Sequence, residues 1–173
     1  MPTGEETKLF EEMMAYKEDV FRICLGFSRN ASDAEDLSQD IYLKAYQSLG
    51  RIHTPYAVKE WLFRVARTTC LDHRRRAAVR RLFLRRPLGS DEGVERTTPE
   101  LSAEAGEQLN VLKNAVTRLP GKLREVFVLR EYGHLSYQET ARTLGIKEGT
   151  VMSRLNRARR AVIDRMKEDV HER

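Results

Sequence analysis

Thiols are scarce in this sequence. Among 173 residues only Cys24 and Cys70 carry one, 46 positions apart, with no CxxC and no histidine close to either. That excludes a zinc knuckle, and a disulfide scaffold is not expected at this chain size. No run of 18 or more apolar residues occurs, so no segment reads as a membrane-spanning helix. Residues 1–17 hold Glu5, Glu6, Glu11 and Glu12 and no apolar core flanked by small residues, which does not fit a secretory signal. Period-two alternation and hairpin dipeptides are missing, so no sheet is expected. His53, His73, His134 and His171 are scattered and make no Ser/His/Asp or Cys/His set. Gly4, Gly89 and Gly93 form no phosphate-cradling loop. The chain reads as soluble and from a reducing compartment, and none of these patterns marks a cofactor or a small-molecule substrate.

What is present is charge, unevenly placed. Lys and Arg total 31 against 26 Asp and Glu, a net +5. Residues 1–90 hold 16 basic and 12 acidic side chains, residues 91–106 one and five, and residues 107–173 14 and nine. Two basic blocks around an acidic connector point to two units that each meet a polyanion.

Helical periodicity runs through both blocks. Leu9, Phe10, Met13, Met14, Val20, Phe21, Cys24 and Leu25 predict one helix over about 5–28. Ser32 and Glu35 form a capping-box pattern before the stripe Leu37, Ile41, Ala45 and Leu49, and Gly50 is expected to stop that helix. A loop follows, since Pro55 disfavours helix at Thr54. A third helix puts Val58, Trp61, Leu62, Val65 and Ala66 inward and runs into a stretch with seven arginines between 74 and 86. Residues 87–106 have the composition of a flexible, solvated linker able to span at most roughly 65 Å. Beyond it, Leu109, Leu112, Val116 and Leu119 predict a helix ended by Pro120-Gly121, and Leu123, Val126, Phe127 and Leu129 another. Ser136 to Glu139 is a second capping box, opening a helix over 137–144; Gly145 closes it, and a last helix begins near Glu148. The fold class is all-α, with two small domains.

Three patterns bear on function. Residues 135–160 have the make-up of a helix-turn-helix: Ala141 where the helices cross, Gly145 at the turn, Val151 and Leu155 as apolar anchors. The open side of the second helix offers Met152, Ser153, Asn156 and Arg157, with Arg154, Arg159 and Arg160 alongside, types that read base edges and hold phosphates. Asp33, Glu35, Asp36, Gln39 and Asp40, with Leu43, make an acidic helix face. Its carboxylates could hold a hard cation, could simply be solvated near a helix start, or could dock a basic protein. The loop 51–56 mixes cations and an aromatic, a combination suited to unstacked single-stranded bases.

In this order the three patterns resemble sigma factors of the sigma-70 superfamily, in the extracytoplasmic-function (ECF) group. Residues 30–46 (NASDAEDLSQDIYLKAY) resemble region 2.2, residues 61–76 (WLFRVARTTCLDHRRR) regions 2.3–2.4, and residues 118–160 region 4. The resemblance implies residues 1–86 as sigma domain 2, a helical bundle, residues 87–106 as the linker, and residues 107–173 as sigma domain 4. It implies that Asp33, Glu35, Asp36, Gln39, Asp40 and Leu43 meet the beta-prime clamp helices of core RNA polymerase. It places Arg51, His53, Tyr56, Arg64, Arg67, Arg74 and Arg75 on a single-stranded minus-10 element. Met152, Ser153, Asn156 and Arg157 would face minus-35 bases, and Arg154, Arg159 and Arg160 the phosphates. The beta flap and a membrane-associated anti-sigma factor are the further implied partners, in a cytoplasmic stress response. The family often has an aromatic where Val58 stands and Glu where Asp40 stands. The extra domains of housekeeping sigma factors have no counterpart here. Two readings from other classes compete: a dimeric helix-turn-helix regulator, and a nuclease using Asp36 and Asp40.

Overall fold

A computed structural model describes residues 3–28, 30–52, 58–83 and 103–171. Among these, every regular element is helical, and the chain divides into two compact units, Met1–Glu95 and Arg96–Arg173.

The first unit packs α1 (Gly4–Met14), α2 (Lys17–Phe27), α3 (Ala31–Ser48) and α4 (Val58–Phe83) around Met13, Val20, Ile23, Phe27, Leu37, Ile41, Leu62, Phe63 and Ala66. The single helix expected over 5–28 is two helices. Tertiary contacts break it: the Tyr42 hydroxyl on α3 donates to the Met13 carbonyl at 3.0 Å, and the Tyr16 ring meets Phe63 edge to face at 5.9 Å. Cap chemistry also differs from expectation. The N-cap of α3 is Asn30, whose Oδ1 accepts from the Asp33 N–H at 2.7 Å, so Ser32 lies within the first turn. Asn and Ser cap about equally well, and the earlier one was taken. Gly50 does not end α3; it sits in a 3₁₀ turn, Leu49–Arg51, where a Cβ would lie 3.0 Å from Glu6 Oε1.

The inward face of α4 is rotated from the expected one. Val58, Leu62, Phe63, Ala66, Thr69 and Cys70 are buried, while Trp61 and Val65 are only half-buried. Phe63 takes the place foreseen for Trp61 because Tyr16 waits opposite it. Cys70 meets Cys24 of α2 with the sulfurs 3.9 Å apart and both thiols free.

The second unit comprises α5 (Ala103–Thr117), α6 (Gly121–Phe127), a π turn (Val128–Tyr132), α7 (Tyr137–Leu144) and α8 (Glu148–His171). Residues 103–106, expected in the linker, are helical; residues 87–102 lie outside the described residues. On α5 the buried side is Val111, Ala115 and Val116, with Leu119 just beyond it, while Leu109, expected inward, is 49% exposed. The core also has an unexpected member. Arg124, 2% exposed, donates from Nε to the Val116 carbonyl at 3.0 Å and from Nη2 to the Thr117 carbonyl, capping the end of α5. The expected capping box of α7 is complete: Ser136 Oγ accepts from the Glu139 N–H, and Glu139 accepts from the Ser136 N–H. Gly145 closes the helix at φ +64°, a backbone state that glycine adopts without strain.

Candidate polymerase and nucleic-acid interfaces

Burial of Ala34, Leu37, Ser38, Ile41 and Ala45 fixes which side of α3 faces water. Glu35, Asp36, Gln39 and Asp40 are exposed on the other side, and Leu43, 57% exposed, lies one heptad from Asp36 on the same line. Asp33 is half-buried, held at the helix start by the cap on its N–H. Both flanks are pinned. Phe10 of α1 stacks edge to face on Tyr42 and Tyr46, and Lys44 Nζ donates to Thr69 Oγ1 of α4 at 3.0 Å. Burial pushes the Tyr42 phenol well up, so it stays a donor. Among the described residues, no three His, Cys, Asp or Glu side chains converge on a metal-sized space, so the carboxylates are strung along the helix. Sequence reasoning passed over Tyr46, which adds a half-exposed ring at the margin of this face.

The arginines of α4 at 64, 67, 74 and 75, at spacings of three, seven and one, fall on one side of the helix. Arg64 and Arg75 are exposed and Arg67 and Arg74 half-buried; Arg64, Arg67 and Arg74 each engage a neighbour. Trp61, half-buried, lies one turn before Arg64 on the same helix. Arg51 is exposed in the 3₁₀ turn, and His53 and Tyr56 lie outside the described residues. Cys24 and Cys70 take no part. The hydrogen bond with Cys70 and then burial push the Cys24 thiol up, so it is neither nucleophile nor ligand.

On α8 the buried line is Val151, Leu155, Ala158 and Val162. The opposite side carries Ser153, Asn156, Arg157 and Arg160, all exposed, with Met152 exposed on one flank. The Ser153 hydroxyl donates to the Thr150 carbonyl at 3.1 Å and must turn to reach a base. Arg154 leans the other way, into an open depression of about 710 Å³ lined also by Gln138, Arg142, Lys147 and Thr150. Arg159 is already engaged: Nε and Nη2 donate to Glu131 Oε1 at 2.9 and 2.6 Å, and that bond holds the guanidinium pKa above its usual value. Arg130, next to Glu131, stacks over the Tyr137 ring at 4.2 Å and donates to the Leu135 carbonyl. Neither Lys147 and Arg142 nor Glu131 stood out from the sequence. Only the fold places them against α8.

A helical bundle with an acidic face and a basic helix, followed by a helix-turn-helix, matches known families part by part. Residues 13–80 match the model of Sigma-70 region 2, and residues 109–162 match that of Sigma-70, region 4. The chain is 30% identical over 163 residues to the RNA polymerase sigma-H factor of Pseudomonas aeruginosa, covering 87% of this chain and 81% of that one. The chain belongs to the sigma-70 family. Within it the ECF group is the place of this sigma factor. It is 26% identical over 167 residues to the ECF RNA polymerase sigma factor SigW of Bacillus subtilis, covering 92% of this chain and 89% of that one. Its fold is similar to that of the sigma factor RpoE of Bartonella quintana, solved in complex with the anti-sigma factor NepR, with a TM-score of 0.72 at 23% identity over 91% of this chain and 95% of that one. As a sigma factor the protein is not an enzyme; it binds core RNA polymerase and directs promoter-specific initiation, region 2 serving the minus-10 element and region 4 the minus-35. The dimeric regulator and the nuclease fall with that membership. Among the described residues no helix is long and apolar enough to cross a membrane.

Proposed function

We propose how the residues divide this work. The solvent side of α3, Glu35, Asp36, Gln39, Asp40 and Leu43 with Asp33 at its margin, docks the beta-prime clamp helices. Arg51, Arg64, Arg67, Arg74 and Arg75, with His53 and Tyr56, hold the minus-10 strand once it is unpaired; bases leave the stack because ring and cation contacts replace stacking. Met152, Ser153, Asn156 and Arg157 read minus-35 base edges, and Arg154 and Arg160 take phosphates. Residues 1–86 act as sigma domain 2 and residues 107–173 as sigma domain 4, which also meets the beta flap. Work takes place in the cytoplasm, under an anti-sigma factor that covers the α3 face; the Bartonella quintana protein of similar fold was solved in complex with an anti-sigma factor.

One observation carries the division: a well-packed apolar line backs an acidic face on α3 and a basic face on α8. The test is a core-polymerase pull-down followed by run-off transcription from a random promoter library. Retention of core and enrichment of a two-element promoter are expected. Retention without enrichment would refute the α8 assignments, and absence of retention the α3 face.

A further inference from the structure

Four arginines stand between 154 and 160 on α8, with no acidic residue among them. Each cation laid on a phosphate adds affinity that ignores sequence, steepening the logarithmic salt dependence by about 0.9. A reader of bases gains discrimination by limiting such contacts.

Among the described residues, Arg159 is the one arginine of this group with an ion pair to a carboxylate from another element. The π turn separates two adjacent side chains, sending Arg130 to α7 and Glu131 to α8. His134, at φ +53°, bends the chain on toward α7. Both bonds from Arg159 end on one oxygen, and the partners remain 46% and 35% exposed. A pair so open to water contributes little to the fold. It lies on the flank of α8 that carries Met152, one turn from Asn156 and turned away from Arg157, so it changes the electrostatics of the recognition helix from the edge of its reading face.

We infer that Glu131 is a specificity-determining residue: its carboxylate cancels the charge of Arg159 against the DNA backbone and so holds down binding to non-cognate duplex. The inference rests on the reading that α8 enters the major groove.

The test uses the full chain and two 30-base-pair probes, a random-sequence duplex pool and one duplex enriched from it by the wild-type holoenzyme, with anisotropy read between 50 and 200 mM KCl. Glu131→Gln keeps an acceptor beside Arg159 and removes only the charge. It should bind the random pool about fivefold to tenfold tighter at 50 mM, steepen the salt slope by about 0.9, and lower the ratio of enriched to random affinity. Arg159→Ala, which bares the carboxylate, should do the reverse. The double variant should return close to wild type. Circular dichroism checks that each variant is folded. Equal weakening of both probes by Glu131→Gln, or no change, would overturn the inference. Were wild type to show no preference for the enriched probe and Arg157→Ala no effect, the groove reading itself would fail instead.

Discussion

Arg124→Ala isolates the contribution of one buried cation to DNA recognition it never touches. The guanidinium holds the two last carbonyls of α5, those of Val116 and Thr117. Hydrogen bonds from a charged donor are worth about 1.5–3 kcal/mol each; truncation removes two of them in a site that is 2% exposed, leaving the Val116 carbonyl with only the Leu119 N–H at 3.1 Å and the Thr117 carbonyl without the guanidinium. A loss of about 3–5 kcal/mol is expected, against a total of roughly 4–12 kcal/mol for a unit the size of Arg96–Arg173. The second unit should therefore lose from about a quarter to all of its stability, and minus-35 binding should fall in proportion to the unfolded fraction. The assay exploits the sequence: the single tryptophan, Trp61, belongs to the first unit. In a urea titration its fluorescence should keep the wild-type midpoint, while part of the far-ultraviolet dichroism should shift down by about 2 M or more. Arg124→Lys should fall between, lacking the fork that reaches two carbonyls. A shift below about 0.5 M would refute the capping argument, and a parallel shift of Trp61 fluorescence would refute the independence of the units.

Reversing Asp36 and Asp40 together to Lys should weaken core-polymerase retention at least about tenfold with the dichroism spectrum unchanged, since both are exposed and like charges facing each other cost several kcal/mol. Arg157→Ala should cost about 1–3 kcal/mol on the enriched duplex and relax preference at one position, whereas Arg160→Ala should weaken all duplexes alike and reduce the salt slope by about one; quantitative binding across salt separates the two. Alkali should destabilise the first unit. Cys24, through its bond to Cys70 and its burial, and Tyr42, through burial, keep their protons in the folded state beyond the ordinary values of 9.0 and 10.0 at which the unfolded chain releases them. The unfolded state then binds fewer protons above about pH 9, so stability is full below that point and falls as pH rises. Trp61 fluorescence in urea across pH 8–11 measures this, and Tyr42→Phe should flatten the upper part of the decline.

Local chemistry was legible around the helix-turn-helix, where neighbours in sequence decide it, and less so around α3, where Asn30 took the cap expected of Ser32 and Gly50 did not end the helix. The α7 capping box, the left-handed Gly145 and the Val151/Leu155 line all follow from spacing, and each stands where expected. The acidic stripe on α3 was readable for the same reason, since its apolar partners recur at three and four. Long-range contacts were not. Nothing near Ala15 breaks a helix; Tyr42 and Phe63, distant in sequence, do. Trp61 reads as core by size, yet the rotation of α4 is set by Phe63 meeting Tyr16 and Cys70 meeting Cys24. Arg124 is one more basic residue on paper, and its burial depends on where α5 happens to end. Glu131 owes its partner to a π turn that no periodicity announces.

The buried thiols give the molecule its own gauge of motion. Cys24 and Cys70 are both inaccessible, both in the first unit, and the second unit has none. An alkylating reagent can reach them only when α2 and α4 part, so the rate of labelling under native conditions counts openings rather than collisions. When the unit recloses faster than the reagent attacks, that rate reports the free energy of opening; when it does not, it reports the opening rate itself. Labelling with and without core polymerase would then read how firmly docking on α3 holds the helices behind it, in an unaltered chain and with no added probe.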